Sequence, residues 1–289
     1  MKSTVKIKRC YLCNSVNTRT LYPYVRDNKN IKVLQCGNCG LVFLNSRSHV
    51  TTKNYENSEM HASNESIQKW IQDSRLDDQR RFNNLKKLIK NKKIMDFGCG
   101  AGGFICQAQH FARQCFGVEP EKRVRRYYKN KIPILPSLGR IKEKFDVISA
   151  FHVVEHLADP AATIRNLMAK LKPGGILVLE TPNSDDALIT FYRSKRFQEF
   201  TFWSKHLFLF NHQTLLRLAK KAGCVVIRTE FVQRYPIANH LYWLFAGKPG
   251  GHLKFPFNLL LVNKMYEMLL GIFKKTDTLT VCLKKNDSR

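Results

Sequence analysis

The residues that most restrict how this chain can fold run from Lys92 to Gly103: Lys-Lys-Ile-Met-Asp-Phe-Gly-Cys-Gly-Ala-Gly-Gly. A short apolar strand, Ile94 to Phe97, leads into a glycine-rich turn, and a helix opens at about Phe104. Glycines suit such a turn because the backbone must bend sharply and come close to a ligand, with no Cβ in the way. Val118-Glu119-Pro120 follows about one βαβ unit later and sets a carboxylate at the end of the next strand. That pairing predicts a pocket for a nucleoside cofactor.

Gly98, Gly100 and Gly103 also satisfy the dinucleotide spacing G-x-G-x-x-G, a weak signal alone. Asp96 separates the cofactors. A carboxylate two residues before the first glycine would repel a pyrophosphate docked on the helix N-terminus. It would favour a cation, such as the ammonium group of S-adenosylmethionine, with Glu119 accepting hydrogen bonds from the two ribose hydroxyls. The plainer alternative is an ordinary strand–turn–helix with Asp96 as a turn residue.

Further along, Phe145-Asp-Val-Ile-Ser-Ala-Phe151 reads as a buried strand, followed by His152-Val-Val-Glu-His156-Leu-Ala-Asp-Pro160. An amphipathic helix from about Ala161 to Leu171 ends at Lys172-Pro-Gly-Gly175, since Pro and Gly cannot continue it. Ile176-Leu-Val-Leu-Glu-Thr-Pro-Asn183 is the next strand. Together with Asp96–Gly103 and Val118–Pro120, these segments resemble class I S-adenosylmethionine-dependent methyltransferases. They are most similar to the branch of ubiquinone-biosynthesis O-methyltransferases and bacterial glycan-cluster methyltransferases. The resemblance covers roughly residues 80 to 285 and is specific for fold and cofactor, not for substrate. It implies a Rossmann-like α/β fold with a mostly parallel seven-stranded sheet and an antiparallel last strand. It places Asp96, Phe97, Gly98, Cys99, Gly100, Gly102, Glu119 and Phe151 against S-adenosylmethionine. Leu138 is added for the adenine by position alone, because Ile134–Lys144 carries no acidic or amide element recognisable as a base contact.

Upstream, Cys10-Tyr-Leu-Cys13 and Cys36-Gly-Asn-Cys39 form two C-x-x-C knuckles. Four thiolates in two such pairs suit tetrahedral zinc, with sulfurs about 2.3 Å from the metal. The second knuckle runs on into Gly40-Leu-Val-Phe-Leu44, a turn glycine followed by a strand, and the segment resembles a zinc ribbon. So small a unit buries too little to fold alone, and the metal would supply on the order of 10 kcal/mol. The alternative is two reducible thiol pairs. Nine cysteines with this pairing fit a reducing, cytoplasmic compartment better than a disulfide framework. The expected organisation is a ribbon at 1–45, a polar linker at 46–63 holding His49 and His61 in solvent, and the methyltransferase domain at 64–289.

Within that domain a helix is expected over 64–90, with Ile67, Trp70, Ile71, Leu76, Phe82, Leu85, Leu88 and Ile89 near helical spacing. Strands are expected near 93–97, 114–118, 132–135, 145–151, 175–181, 224–231 and 278–283, with helices between most of them, which argues for a parallel sheet covered on both faces. Two insertions, near 184–211 and 236–276, depart from a minimal fold. They would lie above the carboxyl ends of the strands and form a substrate lid. The aromatic residues of 184–211 suit a flat or amphipathic acceptor, or simply fill core. The second insertion carries an apolar helix, Phe257 to Phe273, which must be buried, paired in a homodimer, or laid on a membrane. Lys254, Lys274 and Lys275 beside it suit an anionic surface, such as the inner membrane face. No apolar run is long enough to span a bilayer.

A hydroxyl acceptor gains from a general base, most often His. His156, His206 and His152 are the candidates: His152 and His156 follow the fourth strand, and His206 lies in the aromatic insertion. The reaction expected is O-methylation of a small molecule or a sugar or glycan precursor. The knuckles followed by Gly-Leu-Val are also similar to deoxysugar C-methyltransferases, so C-methylation of a nucleotide sugar stays open. The alternative is a ribosomal RNA base methyltransferase. The net charge of +27 fits that alternative but is spread along the chain, and aromatic insertions fit it less well. No Asn/Asp-Pro-Pro-Tyr element follows the fourth strand, which disfavours amino methylation of adenine.

Overall fold

The computed structural model describes residues 7, 9–47, 49, 66–251 and 260–286. Three short strands open the chain: β1 (Thr18–Tyr22), β2 (Val33–Cys36) and β3 (Val42–Leu44). They pair antiparallel in sequence order. The second unit begins with helix α1 (Ile67–Ile89), whose N-cap Ser66 accepts from the Lys69 N–H at 3.1 Å. It continues through β4 (Lys93–Phe97), α2 (Gly103–Ala108), β5 (Gln114–Val118), α3 (Lys122–Tyr127), β6 (Ile134–Leu135) and β7 (Phe145–Phe151). Then come α4 (Pro160–Met168), β8 (Leu171–Pro182), α5 (Ala187–Thr190), α6 (Lys195–Thr201), β9 (Phe208–Leu209) and α7 (His212–Lys221). The chain closes with β10 (Cys224–Val232), α8 (Ile237–Ala246), α9 (Leu260–Ile272) and β11 (Thr278–Lys285).

Seven of these strands form one sheet in the order β10-β11-β8-β7-β4-β5-β6. β8, β7, β4, β5 and β6 run parallel, and β11 is antiparallel to both β8 and β10. The strand order reverses between β4 and β7, which is where ligands bind in open α/β sheets. Asp96 lies beside Ser149 across that reversal and beside Gly117 on its other side.

Several expected limits shift. The helix expected at 161–171 ends at Met168, because Leu171 already pairs with Phe145 as the irregular start of β8. The strand expected over 132–135 shortens to two residues. Leu76, expected on the buried face of α1, is 71% exposed, while Asp78 is buried. The charge network described below turns Asp78 inward. His49, expected in solvent, sits with a ring nitrogen 2.6 Å from the Ser204 carbonyl oxygen. Most of the expected linker, His61 included, and residues 252–259 lie outside the described residues.

The N-terminal strands do not stand apart. β3 pairs antiparallel with β9, Val42 opposite Leu209 and Phe43 opposite Phe208, so the small sheet has the order β1-β2-β3-β9. Phe43, Phe202, Phe208 and Phe210 are fully buried in a core that continues into the main sheet. Tyr11 bonds Asp159 and accepts from the Ala161 N–H at 2.9 Å, while Asp159 caps the start of α4.

Among the described residues, the apolar C-terminal helix is mostly exposed. On α9, Leu261 is 76% and Ile272 65% exposed, and of its described residues only Leu270 is buried. Leu270 and polar contacts tie one side of the helix to its own unit. His240 Nδ1 lies 2.6 Å from the Tyr266 hydroxyl, and the Asn263 side chain accepts from the Ile237 N–H at 3.3 Å.

Candidate active site

The turn after β4 is left-handed at Gly98, Gly100 and Gly102, with φ of 72°, 52° and 78°. A Cβ at Gly98 would stand 2.5 Å from Val153 Cγ2, and one at Gly102 would stand 2.8 Å from the Tyr128 ring. Both sterics and dihedral angle therefore demand glycine. The Gly100 N–H donates to Glu119 Oε2 at 2.9 Å, and the Glu121 N–H donates to Oε1 at 3.0 Å. Ser149 donates to Asp96 Oδ1 at 2.7 Å. Burial pushes Asp96 and Glu119 up to about 7 each. Two buried carboxylates in one crevice suit a ligand with a cation and a diol, and they oppose a pyrophosphate. The donor set thus fits S-adenosylmethionine.

Of the other residues expected around the cofactor, Phe97, Cys99 and Phe151 lie in this turn or on the elements that flank it. Phe97 ends β4, and Cys99 is buried inside the turn, where burial pushes its thiol well up. Phe151 ends β7 and meets Phe104 edge to face at 5.0 Å. Leu138 lies in a single turn of 3₁₀ helix after β6 and is half-buried against the main core.

Next to this crevice is a charge network that the sequence did not announce. Arg80 and Arg81 of α1 reach Glu180 of β8 at 3.0 and 2.8 Å, and Arg81 also pairs with Asp78 at 3.1 Å. The Arg81 guanidinium lies 4.8 Å from the Phe151 ring centre. Arg234 bridges Asp77 and Asp277 at 3.1 and 3.2 Å. Burial alone would raise Glu180, but His152 and the two arginines outweigh it and hold it well below the carboxylate range. These residues had no readable signal. Charged positions on a helix usually face solvent, and only the long-range fold brings them to β8.

His152 follows β7 with φ of 54°, a left-handed conformation uncommon outside glycine. Its Nδ1 is 3.4 Å from Glu155 Oε1 and its Nε2 3.4 Å from Glu180 Oε1. Burial and Arg234 act to lower its pKa, but the two carboxylates prevail and the net shift is upward. Glu155 is wholly buried and accepts from Thr181 Oγ1 at 3.2 Å. Burial would raise Glu155, but His152, His156 and His206 hold it at about 2.

His156 and His206 meet with ring centres 5.0 Å apart, beside Trp203. The Nδ1 atoms lie 2.8 Å from the Lys205 and 3.1 Å from the Thr201 carbonyl oxygens. Burial lowers both imidazoles, His206 to about 3. The N-terminal unit supports this group from behind. Asp27 accepts twice from Ser204, at 3.0 and 2.6 Å, and the Arg26 guanidinium lies 4.6 Å from the Trp203 ring centre.

Cys10, Cys13, Cys36 and Cys39 converge, with Sγ pairs Cys10–Cys39 and Cys13–Cys36 both 3.5 Å apart. All four sulfurs lie within 4.8 Å of one another. Sulfurs about 2.3 Å from one tetrahedral ion stand roughly 3.8 Å apart, so the set fits zinc. Backbone N–H groups of Leu12 and Cys13 face the Cys10 sulfur, and those of Asn38 and Cys39 face Cys36.

Comparison with known proteins agrees with this geometry. A family model described as a methyltransferase domain matches residues 68–229. The chain belongs to this family, and its fold and cofactor crevice make it a class I S-adenosylmethionine-dependent methyltransferase. Among curated relatives, it is 32% identical over 107 residues to a ubiquinone biosynthesis O-methyltransferase of Pelagibacter ubique, covering 34% of this chain and 45% of the relative. It is 33% identical over 108 residues to a tRNA U34 carboxymethyltransferase of Saccharophagus degradans, covering 32% of this chain and 33% of the relative. The chain spans less than half the length of the curated relatives it matches. Among solved structures, a chain from the complex of the Haloferax volcanii Trm112 methyltransferase activator with a methyltransferase aligns with a TM-score of 0.52. The identity there is 14%, and the alignment covers 77% of this chain and 97% of the other. At that identity the likeness concerns the fold.

Proposed function

We propose that the chain O-methylates a hydroxyl of a small molecule or of a sugar or glycan precursor, with His152 as proton acceptor. The observation that carries this reading is the placement of His152. It stands one residue past Phe151, at the strand-order reversal, held in a left-handed conformation between two buried carboxylates. Residues held off the common backbone regions gather at functional sites. S-adenosylmethionine supplies the methyl group and a neutral thioether leaving group. His152 takes the acceptor's proton as the new O–C bond forms, and Glu155 and Glu180 stabilise the resulting imidazolium. Phe151 and the Arg81 side chain over it limit water at the reacting centre. Alignment of acceptor and methyl supplies the larger share of the acceleration, roughly 7–11 kcal/mol. The test is transfer of labelled methyl from S-adenosylmethionine into a small-molecule and glycan-precursor extract. His152→Gln should lower the rate by about 10²–10⁴-fold while cofactor affinity stays within twofold. Equal rates would remove His152 from this role.

RNA is the second reading, supported by the tRNA-modifying relative and the +27 charge. RNA affinity that survives competition by heparin, with label entering RNA, would favour it. For the four cysteines we propose structural zinc, at least one ion per chain by metal analysis, in a reducing compartment. For the exposed face of α8 and α9 we propose contact with an anionic bilayer surface. Phe245 is 87%, Leu261 76% and Phe273 67% exposed there. No helix among the described residues is long and apolar enough to cross a membrane. A second copy carrying the same +27 charge suits that face less well than an anionic partner. Sedimentation with anionic but not zwitterionic vesicles tests this, and a stable dimer in solution would count against it.

A further inference from the structure

A second cluster of metal-ligating side chains lies outside the four cysteines. One ligand atom each from Glu155, His156 and His206 falls within 4.8 Å of the other two. The cluster joins two distant parts of the chain: Glu155 and His156 follow β7, and His206 comes from the segment leading to β9.

Three observations point to a cation rather than to packing. First, the Nδ1 of each imidazole is bound to a backbone carbonyl, His156 to Lys205 at 2.8 Å and His206 to Thr201 at 3.1 Å. A carbonyl accepts and does not donate, so each Nδ1 carries the proton and Nε2 carries the lone pair. Metal-ligating histidines are oriented in this way by a carbonyl on the far nitrogen. Second, Glu155 is 0% exposed, and its Oε1 makes no close hydrogen bond, with His152 Nδ1 standing 3.4 Å away. A buried carboxylate oxygen held at that distance by one imidazole has room for a closer cation. Third, the support is built. Thr181 holds the other Glu155 oxygen at 3.2 Å, and Asp27 fixes Ser204, two residues before His206, through both carboxylate oxygens.

We propose that Glu155, His156 and His206 form a second metal site, for a divalent first-row transition ion of the Zn²⁺ type. Two imidazoles and one carboxylate are a donor set typical of catalytic zinc, in contrast to the closed four-thiolate set of the ribbon. Bonds of about 2.0–2.2 Å require the three side chains to close in by small rotations. Three protein ligands leave a coordination position open. Under the O-methylation reading, on which this last step rests, an ion held there would bind the acceptor oxygen and lower the pKa of its hydroxyl, and His152 would take the proton. The site itself does not depend on that reading.

The test uses the full chain, purified without metal and titrated with Co²⁺. The first equivalent should give the intense thiolate-to-cobalt charge-transfer bands of a four-cysteine site. A second equivalent should give weaker ligand-field bands and no added charge transfer. Glu155→Gln and His206→Ala should each weaken the second equivalent at least tenfold and leave the first unchanged, which also shows that the ribbon is folded. His240→Ala, a histidine outside the cluster, should leave both equivalents in place. Saturation at one equivalent in the wild-type chain would overturn the proposal. So would a second equivalent indifferent to both substitutions. If the second equivalent is present and methyl transfer to a hydroxyl is not, the metal site stands and the O-methylation reading falls.

Discussion

Asp96→Asn separates the demands of folding from those of the cofactor. Asp96 is 3% exposed, and burial pushes its pKa from an ordinary 3.8 to about 7. The folded chain therefore keeps a proton that the unfolded chain has released. Stability falls as pH rises from about 3.8 towards about 7 and stays lowered above that. At 1.36 kcal/mol per pH unit, the full cost of the ionised carboxylate is about 4 kcal/mol. Asparagine does not titrate, and its Oδ1 can still accept from Ser149. Between about pH 5 and about pH 8 the stability of the variant relative to wild type should grow by about 2.5 kcal/mol. The amide group adds a constant offset at both pH values, so the pH dependence is the readout. Urea unfolding of the ligand-free protein at the two pH values measures it. A difference that does not change with pH would refute the argument that burial dominates at Asp96.

Three further outcomes are expected. Gly98→Ala forces a Cβ into a left-handed position 2.5 Å from Val153 and should cost about 1–3 kcal/mol, read as a lower melting temperature. Phe208→Ala removes a fully buried ring that packs on Tyr11 at 5.1 Å, at the seam between the two sheets. It should cost about 3–5 kcal/mol in denaturant unfolding, and a loss under 1 kcal/mol would mean that the seam contributes little. Cys36→Ala, or chelation, should expose residues 9–47 to limited proteolysis while the main sheet stays protected. Unchanged cleavage would argue against a metal holding that segment.

Local chemistry made much of this legible. The strand–turn–helix at Asp96–Gly103, the carboxylate after β5 and the two cysteine knuckles are each encoded within a few consecutive residues, and the structure places all of them as expected. What escaped depends on contacts between distant segments. β9 is two residues long and has no pattern of its own, and it exists because β3 presents a free edge to it. Arg80 and Arg81 look like ordinary surface residues of an amphipathic helix until Glu180 appears one hundred residues away. His152, His156 and His206 are all candidates in the sequence, His156 and His206 ahead of His152. The fold splits them, placing His152 at the strand-order reversal and the other two against Glu155 and the supporting N-terminal unit. The apolar C-terminal helix shows the opposite failure. Its sequence demands cover, and among the described residues most of its apolar side chains stay exposed.

The central claim is that the crevice between β4 and β5 binds S-adenosylmethionine through Asp96 and Glu119. Calorimetric titration at about pH 6, in two buffers of different ionisation enthalpy, tests it most directly. Both carboxyls sit near 7 in the ligand-free protein, so a bound cation should drive protons off them. The account predicts one site per chain, an observed heat that differs between the buffers by the amount that proton release requires, and loss of binding in Glu119→Ala. No binding at millimolar cofactor, or binding with no proton released and no effect of Glu119→Ala, would contradict it.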